Sequence, residues 1–333
     1  MPSLVGSEMC IRDRAAAVFV GAGIHQGERK TLMNILVAMN DAFVKCYQVM
    51  LTSLIKNNPD ENITVHVPYT DGLSRKGLDS IKELVRNQSH GSASVREYYF
   101  GKDRLGSLDK LPLGMWSVEM FFRIFAQEFI PESEDRILWL DGDIIVNGSI
   151  KDFYNTDFDS MYYAACEDIA ISHGKIKEEY DNLGWSSEEI YVNSGVLLIN
   201  LKALRNNGIT RDAAVEYALE NMDKLHYPDQ YMLNAMFHDK IKFADAFRYN
   251  CQVSGYSYKL ADMILSESAI LHFPGYRPWQ TDYQKHYSSA IPGDIWWHYA
   301  KLCGQADGYM RWKILNTLKV KPWQILYRLK KRT

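Results

Sequence analysis

The chain alternates short, nearly all-apolar runs with longer segments whose apolar positions recur at helical spacing. Asn34 to Ala38 is such a run, too short for a helix and of the kind that a strand buried on both faces needs. Asp41 to Asn57 then carries Phe43, Tyr47, Met50, Leu51 and Leu54 at helical spacing and stops at Asn58-Pro59. Ile63 to Val67 predicts the next strand, Leu73 to Val85 a helix, Val95 to Phe100 an extended segment and Ser117 to Phe129 a helix. Ile137 to Leu140 predicts a further buried strand. Strands alternating with helices imply right-handed crossovers and a mostly parallel α/β sheet covered on both faces. Such sheets bind ligands at the carboxyl ends of their strands. Nothing splits residues 33 to about 285, which are expected to form one domain, with 286–333 as a helical C-terminal region.

Composition narrows this picture. Over 333 residues, 47% hydrophobic and 24% charged side chains are those of a soluble globular protein, and no window reaches the ~18 apolar residues of a membrane span. The five cysteines are scattered and odd in number, which disfavours a disulfide framework or a structural zinc and fits a reducing cytoplasm. The net charge of −3 conceals an asymmetry: residues 309–333 carry eight basic side chains and no acidic one, leaving 30 basic against 41 acidic elsewhere. An acidic body is a poor partner for nucleic acid, so none is expected.

The first residues do not continue the pattern. Ala15 to Gly23 is apolar behind Arg12 and Arg14, but no signal-peptidase-like site follows. Gly21, Gly23 and Gly27 are misspaced for a dinucleotide loop. Ser3 to Arg14 resembles translated sequencing-adapter sequence. Residues 1–32 are therefore expected to be a non-native or disordered leader, with Met33 as the natural start.

Candidate chemistry begins at Asp141-Gly142-Asp143, which ends the strand at Leu140. Two carboxylates one residue apart can reach one cation, and Gly142 allows close backbone approach; hard cations on oxygen ligands commonly bridge phosphates. An Asp-Gly-Asp triplet is equally a turn sequence. Three further features lie downstream: Tyr191-Val192-Asn193-Ser194-Gly195 before an apolar run, Asp229-Gln230 at the start of an apparent helix, and Leu271-His272-Phe273-Pro274-Gly275-Tyr276-Arg277-Pro278-Trp279 after a strand-like Ala269-Ile270. With these four motifs in this order, residues 33 to about 285 resemble the family 8 glycosyltransferases, retaining nucleotide-sugar enzymes of GT-A fold.

The resemblance implies that Asp141, Asp143 and His272 hold manganese, or magnesium in its place, on the diphosphate of a UDP-sugar. It places Gly142, Ser194, Gly275 and Arg277 around that nucleotide and gives Arg277 the phosphate-meeting role of the family's lysine, in a loop one residue shorter. Ala38 and Asn40, at the end of the first strand, fall where the family contacts the nucleoside. Here Asn40 can meet a uracil edge and Ala42 has no side-chain contact to offer. Arg123, Asp168, Asn193 and Gln230 match positions near the donor sugar, although each alone could be a cap, a helix-face charge or a core hydrogen-bonding group.

Retention needs either a carboxylate nucleophile or attack from the face of departure. The matched position is Gln230, a poor nucleophile, which favours same-face attack with Gln230 and Asn193 positioning the sugar. Asp229 and Asp168 are the candidates for a covalent intermediate. The implied reaction moves glucose or galactose from the UDP-sugar to a glycan or lipid-linked glycan acceptor, lipopolysaccharide or another cell-surface polysaccharide. Two rivals are a non-catalytic sugar-nucleotide binder, suggested by the departures at Asn40 and Ala42, and a haloacid-dehalogenase-type phosphatase. The latter would place its Asp-x-Asp on the first strand.

The basic end interleaves its cations with Trp312, Ile314, Leu315, Leu318, Trp323, Ile325, Leu326, Tyr327 and Leu329, and Pro322 divides it. This pattern predicts peripheral attachment to an anionic membrane on the cytoplasmic face, with a helix docked on the domain as the alternative.

Overall fold

The computed structural model describes residues 32–111, 117–169, 171, 177–224, 226–256, 258–275, 277–280, 293–320 and 322. The expectation of a leader falls, but for Leu32, outside the described residues, as does most of the basic end beyond 320.

The first strand, β1, runs Leu32–Leu36, two residues earlier than the apolar run suggests, and the expected strand residues Val37 and Ala38 instead continue as irregular chain toward the site. β1 lies parallel to β2 (Asn62–Tyr69) on one side and to β4 (Arg136–Leu140) on the other, and β2 pairs in parallel with β3 (Ala93–Tyr99). Two helices, α1 (Val44–Asn57) and α2 (Arg75–Ser89), make the crossovers between β1, β2 and β3. Strand order reverses at β1, whose two neighbours lead away in opposite directions. A crevice opens at such a point beyond the carboxyl ends of the strands.

Beyond β4 the sheet turns mixed. β7 (Val192–Asn200) is antiparallel to both β4 and β6 (Tyr163–Glu167), and β8 (Ile241–Ala244) is parallel to β6 at the edge; the full order is β3-β2-β1-β4-β7-β6-β8. Because β7 is reversed, its amino end meets the carboxyl end of β4: Leu140 pairs with Val196, and Asp141 N–H donates to Gly195 O at 2.9 Å. The Asn-Ser-Gly motif, expected ahead of a strand, lies within β7 itself, near its amino end. On the β6 side the register jumps from Ala165–Leu197 to Cys166–Asn193, and this bulge turns residues 194–196 away from β6.

Two cores sandwich the sheet. Met33, Ile35 and Val37 face Leu51, Leu54, Leu78 and Ile81 of α1 and α2, whereas Leu36, Ala38, Ile137 and Trp139 face an aromatic layer of Phe121, Phe122, Phe125 and Phe129. That layer corrects the helix expected over 117–129: the chain forms two 3-10 turns, Val118–Arg123 and Ala126–Glu128. Residues 119–127 are buried on all sides, so there is no solvent face to favour one amphipathic α-helix.

A small second sheet, β5 (Ile144–Val146), β10 (Ile270–His272) and β9 (Cys251–Gln252), brings His272 beside the acidic triplet. The helix Asp294–Leu302 and the segment from Tyr309 cover it, burying Trp296, Trp297 and Trp312 against Val49, Ile145 and Leu271. Trp312 therefore belongs to the core rather than to a membrane-facing stripe, because its ring packs between Trp297 and Tyr309. Among the described residues no helix is long and apolar enough to cross a membrane.

Candidate active site

The crevice gathers the predicted residues from seven places in the chain. Asp141 and Asp143 follow β4, His272 ends β10, and their ligand atoms lie within 4.8 Å of one another. Asp143 Oδ1 is 3.2 Å from His272 Nε2, and its Oδ2 accepts from Arg277 Nε at 2.9 Å. Burial opposes the charge on Asp143, but the imidazole of His272 and the guanidinium of Arg277 outweigh it and hold the carboxyl below its ordinary range. Arg277, expected to meet phosphate, thus also pairs with the acidic triplet; its guanidinium stands over the Phe43 ring at 5.6 Å. Gly275 sits at φ +82°, a left-handed position that suits glycine in the turn leading to it.

Asp141 is held from behind. Its Oδ1 accepts from Arg123 Nη2 at 3.0 Å and from Trp139 Nε1 at 2.8 Å, while Arg123 stacks on the Trp139 ring. Arg123 Nη1 also donates to Ser194 O and Oγ and pairs with Asp229 Oδ2 at 3.0 Å; Asp229 in turn accepts from Ser194 Oγ at 2.7 Å. One buried guanidinium therefore fixes the carboxylates at 141 and 229 and the backbone between them.

Beside this cluster lies a triangle of amides and a carboxylate. Asn193 Nδ2 donates to Asp168 Oδ2 and to Gln230 Oε1, both at 3.0 Å, and Gln230 Nε2 donates to Asp168 Oδ2 at 3.2 Å. Gln230 projects from the first turn of the helix Pro228–Phe237, and Asp168 follows β6. At the other end of the crevice, Ala38 is buried under the sheet, and Asn40 caps the turn Asp41–Phe43, its Oδ1 accepting from Ala42 N–H at 3.1 Å. The acceptor expected to read a base edge is thus engaged in capping.

Four residues escaped the sequence reading. Tyr47 lies under the triplet, and a Cβ at Gly142 would come within 2.9 Å of its ring. Packing against Tyr47 thus accounts for glycine at 142. A Cβ at Gly195 would fall 2.5 Å from His272 Cε1 and 2.8 Å from Asp141 Oδ2. Trp139 reads as an ordinary core residue until its indole N–H is placed on Asp141. Asn250, fully buried, links His272 Nδ1 (2.8 Å) to Asn193 Oδ1 (2.9 Å). Only Gly195 had a local signal, as the last residue of a motif already noted.

The donor set fits a divalent cation. Asn250 presents Oδ1 to His272, so Nδ1 carries a proton and Nε2 is the nitrogen turned toward the Asp143 carboxylate. Two carboxylates and one imidazole whose Nε2 is turned toward them suit manganese or magnesium. The hydrogen at Gly195 leaves room where any side chain would intrude.

Residues 34–282 match the model of glycosyl transferase family 8. The chain is 24% identical over 261 residues to the lipopolysaccharide 1,2-glucosyltransferase of Escherichia coli, covering 76% of this chain and 74% of that one. It is 23% identical over 290 residues to the lipopolysaccharide 1,3-galactosyltransferase of Salmonella typhimurium strain LT2, covering 81% and 80%. The crystal structure of the galactosyltransferase LgtC with donor and acceptor sugar analogs has a TM-score of 0.66 at 23% identity, covering 82% of this chain and 95% of that chain, and shares the GT-A fold. The motif order, the crevice at the strand ends and a family match over most of the chain make this protein a member of glycosyl transferase family 8.

Proposed function

We propose that the protein is a retaining hexosyltransferase that moves glucose or galactose from a UDP-sugar to a lipopolysaccharide or other cell-surface glycan. The observation that carries the reading is the adjacency of the Asp141/Asp143/His272 cluster to the Asp168/Asn193/Gln230 triangle, which sets a diphosphate-binding group beside a sugar-binding one. The sugars named for the two lipopolysaccharide transferases support the donor class and the acceptor class.

In this reading Asp141, Asp143 and His272 hold Mn2+ or Mg2+, which when bound supplies positive charge to the departing diphosphate. Arg277 adds a fixed cation beside it. Arg123 keeps Asp141 in place and neutralises Asp229, so Asp229 serves as an anchor for Ser194. Gln230 and Asn193 hold the sugar hydroxyls in a dry, preorganised floor. The acceptor hydroxyl attacks from the face on which the diphosphate leaves, and a leaving phosphate oxygen takes its proton. A covalent route would fall to Asp168, whose carboxylate is already committed to two amides. The test is incubation with manganese and a panel of sugar nucleotides, followed by NMR of the product. Release of UDP from UDP-glucose or UDP-galactose with retained configuration is expected. An inverted product, or binding without turnover of any donor when an acceptor extract is supplied, overturns the reading.

The same proposal places the enzyme on the cytoplasmic face of an anionic membrane. Met310, Ile314 and Leu318 are exposed at one-turn spacing beside Arg311 and Lys313, on the side opposite the docked Trp312. The full chain is expected to sediment with anionic vesicles at low salt. A chain ending at Gly308 is expected to stay in solution, and equal behaviour of the two removes the attachment.

A further inference from the structure

We propose that Asn250 is a positioning residue that sets the tautomer of His272 and, through the same amide, the orientation of Asn193, tying the metal centre to the donor-sugar floor. The inference rests on the reading of His272 as a metal ligand and of Asn193 as part of the sugar floor.

Backbone groups fix every orientation in the chain of bonds. The N–H of Gly195 can only donate, so the Asn193 atom facing it at 3.0 Å is Oδ1. The N–H of Ser194 can only donate, so the Gln230 atom facing it at 3.1 Å is Oε1. Asn193 must then turn its NH2 group toward Gln230 Oε1 and Asp168 Oδ2. Asn250 meets the oxygen of Asn193, so it does so with Nδ2, which leaves its own Oδ1 on His272. His272 can answer only with a protonated Nδ1, which turns its Nε2 toward Asp143 and Asp141 as the nitrogen available to a metal. Reversing any one amide would set acceptor against acceptor, so the array has one consistent arrangement.

Asn250 is itself held firmly. It follows the short helix Ala246–Tyr249, its backbone N–H donates to Ala246 O, and it precedes β9, which pairs in parallel with the strand carrying His272. Partners that orient a metal-bound imidazole through its second nitrogen contribute about 10–100-fold to metal affinity. What Asn250 adds is a second function on the other end of one side chain. No aliphatic residue supplies either bond, and a carboxylate of the same shape supplies only the acceptor.

That asymmetry gives the test. Mn2+ binding is measured on the full chain by electron paramagnetic resonance, and kcat and the donor KM in the assay above, for the wild type, Asn250→Asp, Asn250→Ala and His272→Ala. Asn250→Asp keeps the shape and the acceptor for Nδ1 but sets an oxygen against Asn193 Oδ1. It is expected to bind Mn2+ within about threefold of wild type and to lose tenfold or more in kcat. Asn250→Ala is expected to bind Mn2+ about 10–100-fold more weakly. The inference is overturned if Asn250→Asp loses metal affinity like Asn250→Ala, if it retains wild-type kcat, or if Asn250→Ala binds Mn2+ normally. Should Asn250→Ala not fold, Asn250→Asp alone decides between these outcomes. If the wild type binds no Mn2+ and His272→Ala changes nothing, it is the reading of the metal centre that fails.

Discussion

Two buried histidines, one in the main sheet and one in the small second sheet, have similar neighbours and opposite meanings. His66 on β2 and His272 on β10 are both nearly inaccessible, and each has one ring nitrogen on the side-chain oxygen of an asparagine. At His66 the array closes on itself. Asn34 Nδ2 donates to Glu134 Oε2 at 2.7 Å, so Asn34 Oδ1 accepts from His66 Nε2–H, and the free Nδ1 accepts the hydroxyl of Tyr98 at 2.8 Å. Every donor meets an acceptor with the ring neutral, and burial pushes the pKa down to about 3. At His272 the second nitrogen faces the carboxylate of Asp143 instead. That contact calls for a positive charge between the two, a proton or a metal cation. Burial and hydrogen-bond count do not separate a structural histidine from a metal-binding one. The chemical identity of what faces the second nitrogen does.

The largest effect should come from breaking the open array where it has no slack. Gly195→Ala adds one methyl group 2.5 Å from His272 Cε1 and 2.8 Å from Asp141 Oδ2, with the Asn193 oxygen at 3.0 Å. These atoms belong to a ligand set and a backbone-fixed amide and cannot retreat independently. A loss of two or more orders of magnitude in Mn2+ affinity and turnover is expected, against a modest change in melting temperature. Normal Mn2+ binding by Gly195→Ala, measured by electron paramagnetic resonance, would show that the ligands do not converge beside this strand.

How much of this was legible in the sequence depends on which contacts are local. The apolar runs found β1, β2 and β4, because a strand covered on both faces leaves a continuous signature whatever its partners. The order of four motifs located Asp141, Asp143, His272, Asn193, Asp229 and Gln230 in one crevice. The reversal of β7 left no trace, since a buried strand reads alike in either direction, yet it is what sets Asn193 against Asp168. The 3-10 turns over 118–128 were hidden because helical spacing presupposes a wet face. Asn250 was invisible for a different reason: its role comes from the pairing of two-residue β9 with β10, a contact spanning some twenty residues, and Tyr-Asn-Cys carries no pattern of its own. Trp312 shows the converse, a local amphipathic reading overruled by a tertiary pocket.

A medium effect tests the closed array by pH. His66 is neutral in the fold with its pKa near 3 against an ordinary 6.5, so the unfolded chain binds the extra proton first. Stability attributable to this site is full above about pH 6.5 and declines as the pH falls from there toward 3, by roughly 1.4 kcal/mol per unit. At pH 5 the wild type should have lost about 2 kcal/mol on this account. His66→Gln cannot titrate, so it should be less stable at pH 8 and approach the wild type by about that amount at pH 5. Urea denaturation at the two pH values measures both, and a gap between the proteins that does not narrow would mean that His66 is charged in the fold.

The smallest effect is the most discriminating for the comparison. Tyr98→Phe removes the hydroxyl that satisfies His66 Nδ1 and changes nothing else in shape, at a position where the Tyr98 ring stacks on the imidazole 5.8 Å away. The ring remains half-buried, so water reaches part of the vacated position and the loss should be about 1 kcal/mol of stability rather than the larger cost of a sealed, unpaired nitrogen. The array at His272 belongs to the small second sheet, and the two arrays share no residue. Additivity of separate sites then predicts unchanged Mn2+ affinity and unchanged kcat in Tyr98→Phe. A double variant with Asn250→Asp should show stability losses that sum to within about 0.5 kcal/mol. Coupling larger than that, or a shift in metal affinity from Tyr98→Phe alone, would mean that the two histidine arrays communicate through the sheet and that the closed one is part of the catalytic apparatus after all.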